Sequence, residues 1–151
     1  MRLVIQRVSQ ASVTIEGSTA AAIRTGLVIF VGISKADGLA DADYLAEKVL
    51  GLRIFADESG KMNRNVAESG GALLVVSQFT LYGDCRRGRR PSFDHAAPPE
   101  KARAMYDYFL DVLRHGPVPV ESGVFQAMMG VQLVNEGPVT ILLDSADRSK
   151  Q

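Results

Sequence analysis

The sequence predicts an α+β fold, mostly antiparallel β-sheets forming a partial barrel or sandwich with two main helices. Two observations predict it. Apolar runs of strand length, bounded by glycines or turn residues, recur along the chain. Two segments, near Asp41 and after Pro98, carry apolar residues at helical spacing instead. No linker, internal repeat or low-complexity tract divides the 151 residues, so a single domain over 1–151 is expected. A composition of 46% hydrophobic and 23% charged residues is enough to build one core.

In chain order, Leu3 and Ile5 alternate with polar residues. Ala11 to Glu16 alternates again after Ser9-Gln10, so the chain is expected to open with a hairpin. The run from Gly26 to Ile33 is continuously apolar and reads as a central strand buried on both faces. From Asp41 to Arg53 the period changes: Leu45, Val49 and Leu52 fall on one stripe, and Asp41 and Asp43 sit in the first turn where they complement the helix dipole. Arg53 to Ala56 reads as a strand, Asp57 to Gly60 as a turn, and Gly71 to Gln78 as another buried strand. Residues 83–97 form a basic loop. Pro98-Pro99-Glu100 opens the second helix, in which Ala102, Met105, Tyr106, Phe109, Val112 and Leu113 recur at helical spacing to about Arg114. Residues 118–134 and 138–143 supply the last strands.

Charge and cysteine content narrow the function classes. Lys plus Arg equals Asp plus Glu at 17 each, so no long-range attraction to a polyanion exists and any nucleic-acid contact must be local. The candidate is CRRGRRPSFDH, residues 85–95, where Arg86, Arg87, Arg89 and Arg90 surround Gly88; its alternative is a solvated loop. Cys85 is the only cysteine, which excludes an internal disulfide. With His95 and His115 as the only histidines, no ligand set for a structural metal exists, and neither metal nor cofactor is expected. No apolar run approaches the roughly 20 residues of a membrane span. The start MRLVIQRVSQ alternates like a strand instead of carrying a signal peptide's apolar block, and a cytoplasmic protein is expected.

Chemistry has two candidate locations. In SQFTLYGD, residues 77–84, a buried strand ends in Ser77-Gln78-Phe79-Thr80, the kind of strand end where a rigid scaffold presents reactive groups. A threonine nucleophile at Thr80 needs a base within reach, and no nearby His or acid is evident. Backbone N–H groups where the ladder ends can instead form an oxyanion hole; alternatively, these side chains only satisfy strand-end backbone groups. Cys85, flanked by Arg86 and Arg87 and with His95 as a possible base, is a rival nucleophile or an incidental exposed thiol. The second location is NEGPVT, residues 135–140. Here Gly137-Pro138 interrupts the most strand-like part of the chain, either as an ordinary turn or as a cis peptide that aims neighbouring carbonyls together.

Taken together, SQFTLYGD, GRRPSF at 88–93, GKMN at 60–63 and NEGPVT, with the start MRLVIQRVSQASVTI and the segment SGVFQAMMGVQLVNEGPVTILLDS, resemble the D-aminoacyl-tRNA deacylase family over essentially the whole chain. The resemblance implies a homodimeric editing hydrolase. Such an enzyme cleaves the ester between a D-amino acid, or glycine, and the terminal adenosine of tRNA, and its active site is shared across the subunit interface. It further implies that a Gly137-cisPro138 pair reaches into the partner's pocket and rejects L-residues by a steric clash. Ser77, Gln78, Phe79 and Thr80 would line the ester, with backbone N–H groups near Phe79 and Thr80 polarising its carbonyl and the tRNA's own 2′-hydroxyl assisting water. Phe125 and Met129 match positions near the terminal adenine, and Arg86, Arg87, Arg89 and Arg90 would meet acceptor-stem phosphates. The chain departs from the family pattern at Gln126, Met128 and Glu136, and the larger Gln126 would narrow the adenosine pocket. Two other readings stand beside this one: a Thr- or Cys-dependent small esterase, and a non-catalytic RNA-binding module.

Overall fold

The computed structural model describes residues 1–150. Its strands are β1 (Arg2–Ile15), β2 (Ser18–Ile23), β3 (Gly26–Gly32), β4 (Phe55–Ala56), β5 (Met62–Arg64), β6 (Ala72–Ser77), β7 (Val120–Ser122) and β8 (Gly130–Asp144). The helices are α1 (Leu39–Gly51) and α2 (Pro99–Arg114), and a 3-10 turn covers Phe79–Tyr82. The main sheet runs β2-β1-β3-β6-β7 with β8 on the other edge of β1, curling into a nearly closed barrel, while β4 and β5 form a separate small sheet. The α+β class with two main helices is as expected. Antiparallel pairing dominates, through β1 with β2, β3 and β8 and through β4 with β5; the β3–β6 and β6–β7 pairs are parallel.

The first hairpin is not where the alternation places it. β1 continues unbroken through Ser9-Gln10, and the chain reverses at Glu16 and Gly17, both at positive φ (50° and 78°) as a tight hairpin turn demands. One edge of β1 is shared by β3, opposite Arg2–Val8, and β2, opposite Ala11–Ile15. β8 grips the other edge for its whole length. Held on both sides, the strand absorbs Ser9 as a bulge: Val8 faces Asn135 and Gln10 faces the next residue, Val134. The extra residue shifts the side-chain parity, so Val8, Ala11 and Val13 all enter the barrel interior with Val28, Leu74 and Val76.

Leu3 and Ile5 take the opposite face and meet the helices. There, with Leu27, Ile29, Leu73 and Val75, they pack on Leu45 and Val49 of α1 and on Tyr106, Phe109 and Leu113 of α2. β3 and β6 are therefore apolar on both faces, as expected for Gly26–Ile33 and Gly71–Gln78. The predicted helix at Asp41–Arg53 begins two residues earlier, because the Asp41 carboxylate accepts the Gly38 N–H at 2.9 Å and caps the end. A strand over 118–134 does not form: only Val120–Ser122 pairs, Gly123 adds one last bond to Val75, and residues 124–129 leave the sheet before β8 begins at Gly130.

β8 also runs through the Gly-Pro dipeptide that was expected to separate two strands. Gln6 pairs with Thr140 while Val8 pairs with Asn135, so β8 spends extra residues there as an outward bulge carrying Gly137-Pro138. A bulge is where proline is tolerated inside a sheet, since no ladder bond needs its missing N–H. Among the described residues no helix is long and apolar enough to cross a membrane.

Candidate functional site

β6 lies between two parallel neighbours, and its C-terminal end opens into a cavity of about 730 Å³. The floor is Val76, Ser77, Gln78 and Phe79. Pro99 and Ala102 from the start of α2 form one wall, and Phe125, Gln126, Met128 and Met129 from the segment between β7 and β8 form another. The ladder stops here because the chain turns into the 3-10 turn: Gln78 donates its N–H to the Val31 carbonyl at 2.7 Å as the last link to β3. Beyond it, the N–H groups of Phe79 and Thr80 donate to no other group among the described residues. Unengaged N–H donors are what the first residues of a helical turn leave, and such donors can hold an anion.

Among the described residues the side chains supply no nucleophile–base pair. Thr80 Oγ1 accepts a hydrogen bond from the Gln78 side-chain amide, and no His or carboxylate joins them. Cys85 is exposed and shares a second cavity, of about 700 Å³, with His95, Arg2, Lys35, Tyr82 and Arg86; no hydrogen bond links Cys85 to His95. Burial, the largest influence, together with the nearby Asp37 charge pushes the Tyr82 hydroxyl up to about 12, so it stays protonated.

Of the predicted site residues, Ser77, Gln78, Phe79, Phe125 and Met129 come together around one cavity. Thr80 follows Phe79 in the chain and does not line it. Gly137 and Pro138 do not line that cavity; they stand exposed on the β8 bulge, joined by a cis peptide bond. Arg86 lines the second cavity and is held by Asp84, with Nη2 2.5 Å from Oδ2. Arg87, Arg89 and Arg90 are exposed on the loop beyond. Of the four arginines, Arg86 lines the second cavity and the other three line neither.

Two residues escaped the sequence reading. Arg7 donates from Nε to the Glu136 carbonyl at 3.1 Å and from Nη1 to the Ile54 carbonyl at 2.6 Å, tying the Gly-Pro corner to the start of the β4–β5 hairpin. The clue was present: Arg7 is the next residue on the face that Leu3 and Ile5 devote to the core, a place where a lone charge calls for a specific partner. Phe93 lines the cavity opposite Phe79, with ring centroids 5.0 Å apart and planes at 67°.

The sequence model of the D-Tyr-tRNA(Tyr) deacylase family matches residues 4–144. The chain belongs to this family. It is 68% identical over 151 residues to the D-aminoacyl-tRNA deacylase of Solibacter usitatus, covering 100% of both chains. To the D-aminoacyl-tRNA deacylase of Koribacter versatilis it is 59% identical over 96% of this chain and 97% of the other. Among solved structures, one titled c-Myc DNA Unwinding Element Binding Protein superposes with a TM-score of 0.91 at 41% identity, covering 95% of this chain and 98% of that one. A probable eukaryotic D-amino acid tRNA deacylase superposes with a TM-score of 0.78 at 19% identity, over 94% and 97% of the two chains, and shares the fold. Both α+β architecture and membership in a family of deacylating enzymes are therefore settled for this chain.

Proposed function

We propose that the protein hydrolyses the ester of D-aminoacyl-tRNA, and of glycyl-tRNA, to free amino acid and tRNA. The observation that carries this reading is the pair of unengaged N–H donors at Phe79 and Thr80, where the chain leaves a cavity whose lining, among the described residues, pairs no side-chain nucleophile with a base. Backbone donors polarise the ester carbonyl and stabilise the tetrahedral oxyanion, while the terminal 2′-hydroxyl of the tRNA positions or activates the attacking water. Ser77 and Gln78 line the reacting group. Met129 and the wall around Phe125 hold the terminal adenosine, and Arg86, Arg87, Arg89 and Arg90 meet phosphates without reading sequence.

Discrimination between hands requires a stiff wall at one position. Gly137 and Pro138 qualify as that wall. Their bulge is fixed by Arg7 on the Glu136 carbonyl and by the Asn135 side chain accepting the Val139 N–H at 2.8 Å. Since the corner is exposed and does not line its own chain's cavity, it serves the cavity of a second copy. The working unit is then a cytoplasmic homodimer with shared sites.

The experiment is to incubate the protein with D-tyrosyl-tRNA and L-tyrosyl-tRNA. Release of the D-residue alone is expected; release of both would favour a general esterase. Release of neither would favour a non-catalytic nucleic-acid module, the reading that the name of one structural relative, c-Myc DNA Unwinding Element Binding Protein, supports. Dilution to monomers is expected to abolish turnover and selectivity together, and a fully active monomer would refute the shared site.

A further inference from the structure

Phe79 and Phe93 form an aromatic pair that the chemistry of the ester does not use. Phe79 is 55% exposed and Phe93 37%, an unusual solvent contact for two rings that meet edge to face in a fold with a full core. Neither position is accidental. Asp84 and Ser92 exchange both backbone hydrogen bonds, at 2.7 and 2.9 Å, closing residues 85–91 into a loop whose exit places Phe93 back over the 3-10 turn. Gly83 leaves room for the ring: a Cβ there would stand 3.2 Å from Phe93. That same loop carries Arg87, Arg89 and Arg90, which make no ion pair or hydrogen bond among the described residues. Partly exposed aromatic rings at the foot of a loop that carries unpaired guanidinium groups are the surface chemistry that holds single-stranded nucleic acid, bases on the rings and phosphates on the cations. Phe125, by contrast, already carries the Arg103 guanidinium 4.7 Å over its ring and packs on Tyr106, so its ring is engaged within the protein.

We propose that the Phe79–Phe93 pair is the stacking platform for the base of the penultimate nucleotide, the cytidine that precedes the terminal adenosine of a tRNA. Arg87, Arg89 and Arg90 flank the phosphodiesters that follow. The assignment rests on the deacylase reading, which places the ester at Ser77-Gln78-Phe79 and so directs the strand outward over this rim. Phe93 is then a specificity residue for the nucleic acid, separate from the groups that touch the ester.

The test compares the D-tyrosyl esters of adenosine and of the dinucleotide cytidylyl-adenosine. For the wild-type protein, kcat/KM on the dinucleotide ester is expected to exceed that on the adenosine ester by about 10- to 100-fold, the worth of one stacked base. Phe93→Ala and Phe93→Leu are expected to lose most of this ratio and Phe93→Tyr to retain it, because the π-face and not apolar bulk does the holding. A wild-type ratio near unity, or a Phe93→Ala protein that keeps the full ratio, would overturn the proposal while leaving the deacylase reading intact if D-tyrosyl-tRNA is still hydrolysed. A wild-type protein inactive on D-tyrosyl-tRNA would remove both. Should Phe93→Ala run as a monomer in gel filtration where the wild type runs as a dimer, the pair belongs to the protomer interface and the platform assignment fails.

Discussion

The Arg7 guanidinium donates from Nε to the carbonyl oxygen of Glu136 at 3.1 Å, one residue before the exposed Gly137-Pro138 corner. Its Nη1 donates at the same time to Ile54, so one side chain joins two loops that the sheet ladder does not hold. Arg7→Lys keeps the charge but loses the planar fork that makes both contacts. We predict a drop of about 10- to 100-fold in the preference for D- over L-tyrosyl-tRNA, with a stability cost of about 1–2 kcal/mol. Parallel deacylation assays and thermal melts check this, and an undiminished preference would remove Arg7 from the filter.

Gly137 sits at φ 133°, a region that side chains rarely adopt, and an added Cβ would meet Val139 Cγ2 at 2.8 Å and the Arg7 side chain at 3.0 Å. Gly137→Ala is expected to cost about 1–3 kcal/mol through backbone strain. A melting temperature equal to that of the wild type would contradict this account of the corner.

If backbone donors do the chemistry, side-chain deletions at the strand end have modest effects. Thr80→Val leaves the N–H in place and removes only an acceptor for the exposed Gln78 amide. Turnover is expected to stay within about tenfold of wild type, and Cys85→Ala within the same range, whereas loss of an essential nucleophile costs about 10⁴ or more. Single-turnover rates on D-tyrosyl-tRNA decide between these outcomes.

The buried Tyr106 hydroxyl donates to the Val75 carbonyl at 2.9 Å, and burial pushes its pKa well above the ordinary tyrosine value. Val75 also accepts the Gly123 N–H at 2.9 Å, so its oxygen keeps a partner when the hydroxyl is removed. Tyr106→Phe is therefore expected at the low end of the range for a lost hydrogen bond, about 1 kcal/mol. Denaturant midpoints measure it; a loss several times larger would mean that the hydroxyl organises more than this one contact.

Hydrogen bonds from the Arg86 side chain, then from its backbone N–H, hold the Asp84 carboxyl well below the usual carboxylate range. Because the folded value is the lower one, the pair's contribution is present above the unfolded aspartate value of about 3.9 and is lost as pH falls through the folded value. The group is exposed, so the effect on global stability is small and local order in the arginine loop is the sensitive readout. Carboxyl NMR titration is expected to show a depressed midpoint for Asp84 that rises toward the ordinary range in Arg86→Ala.

Local periodicity made the helices legible: Leu45 and Val49 on one stripe, and Ala102 to Leu113 on another, each require only a 3.6-residue repeat. The same holds for the doubly buried strands around Leu27–Val31 and Leu73–Val76, whose unbroken apolar character is a local property. The ordered motifs from Ser77-Gln78-Phe79-Thr80 to Gly137-Pro138 carried the family, and the cis corner they implied is present.

What the sequence by itself determined is therefore the element types, the fold class and the family. Tertiary structure alone decided that β1 continues through Ser9-Gln10, that β8 carries Gly137-Pro138 as a bulge, that Arg7 clamps it, and that Phe93 returns to face Phe79. The physical reason is range. Helical and strand periodicity is written in neighbours a few residues apart, whereas strand register, bulges and the partners of a lone arginine depend on segments more than a hundred residues away, such as Arg7 with Glu136 and Val8 with Asn135.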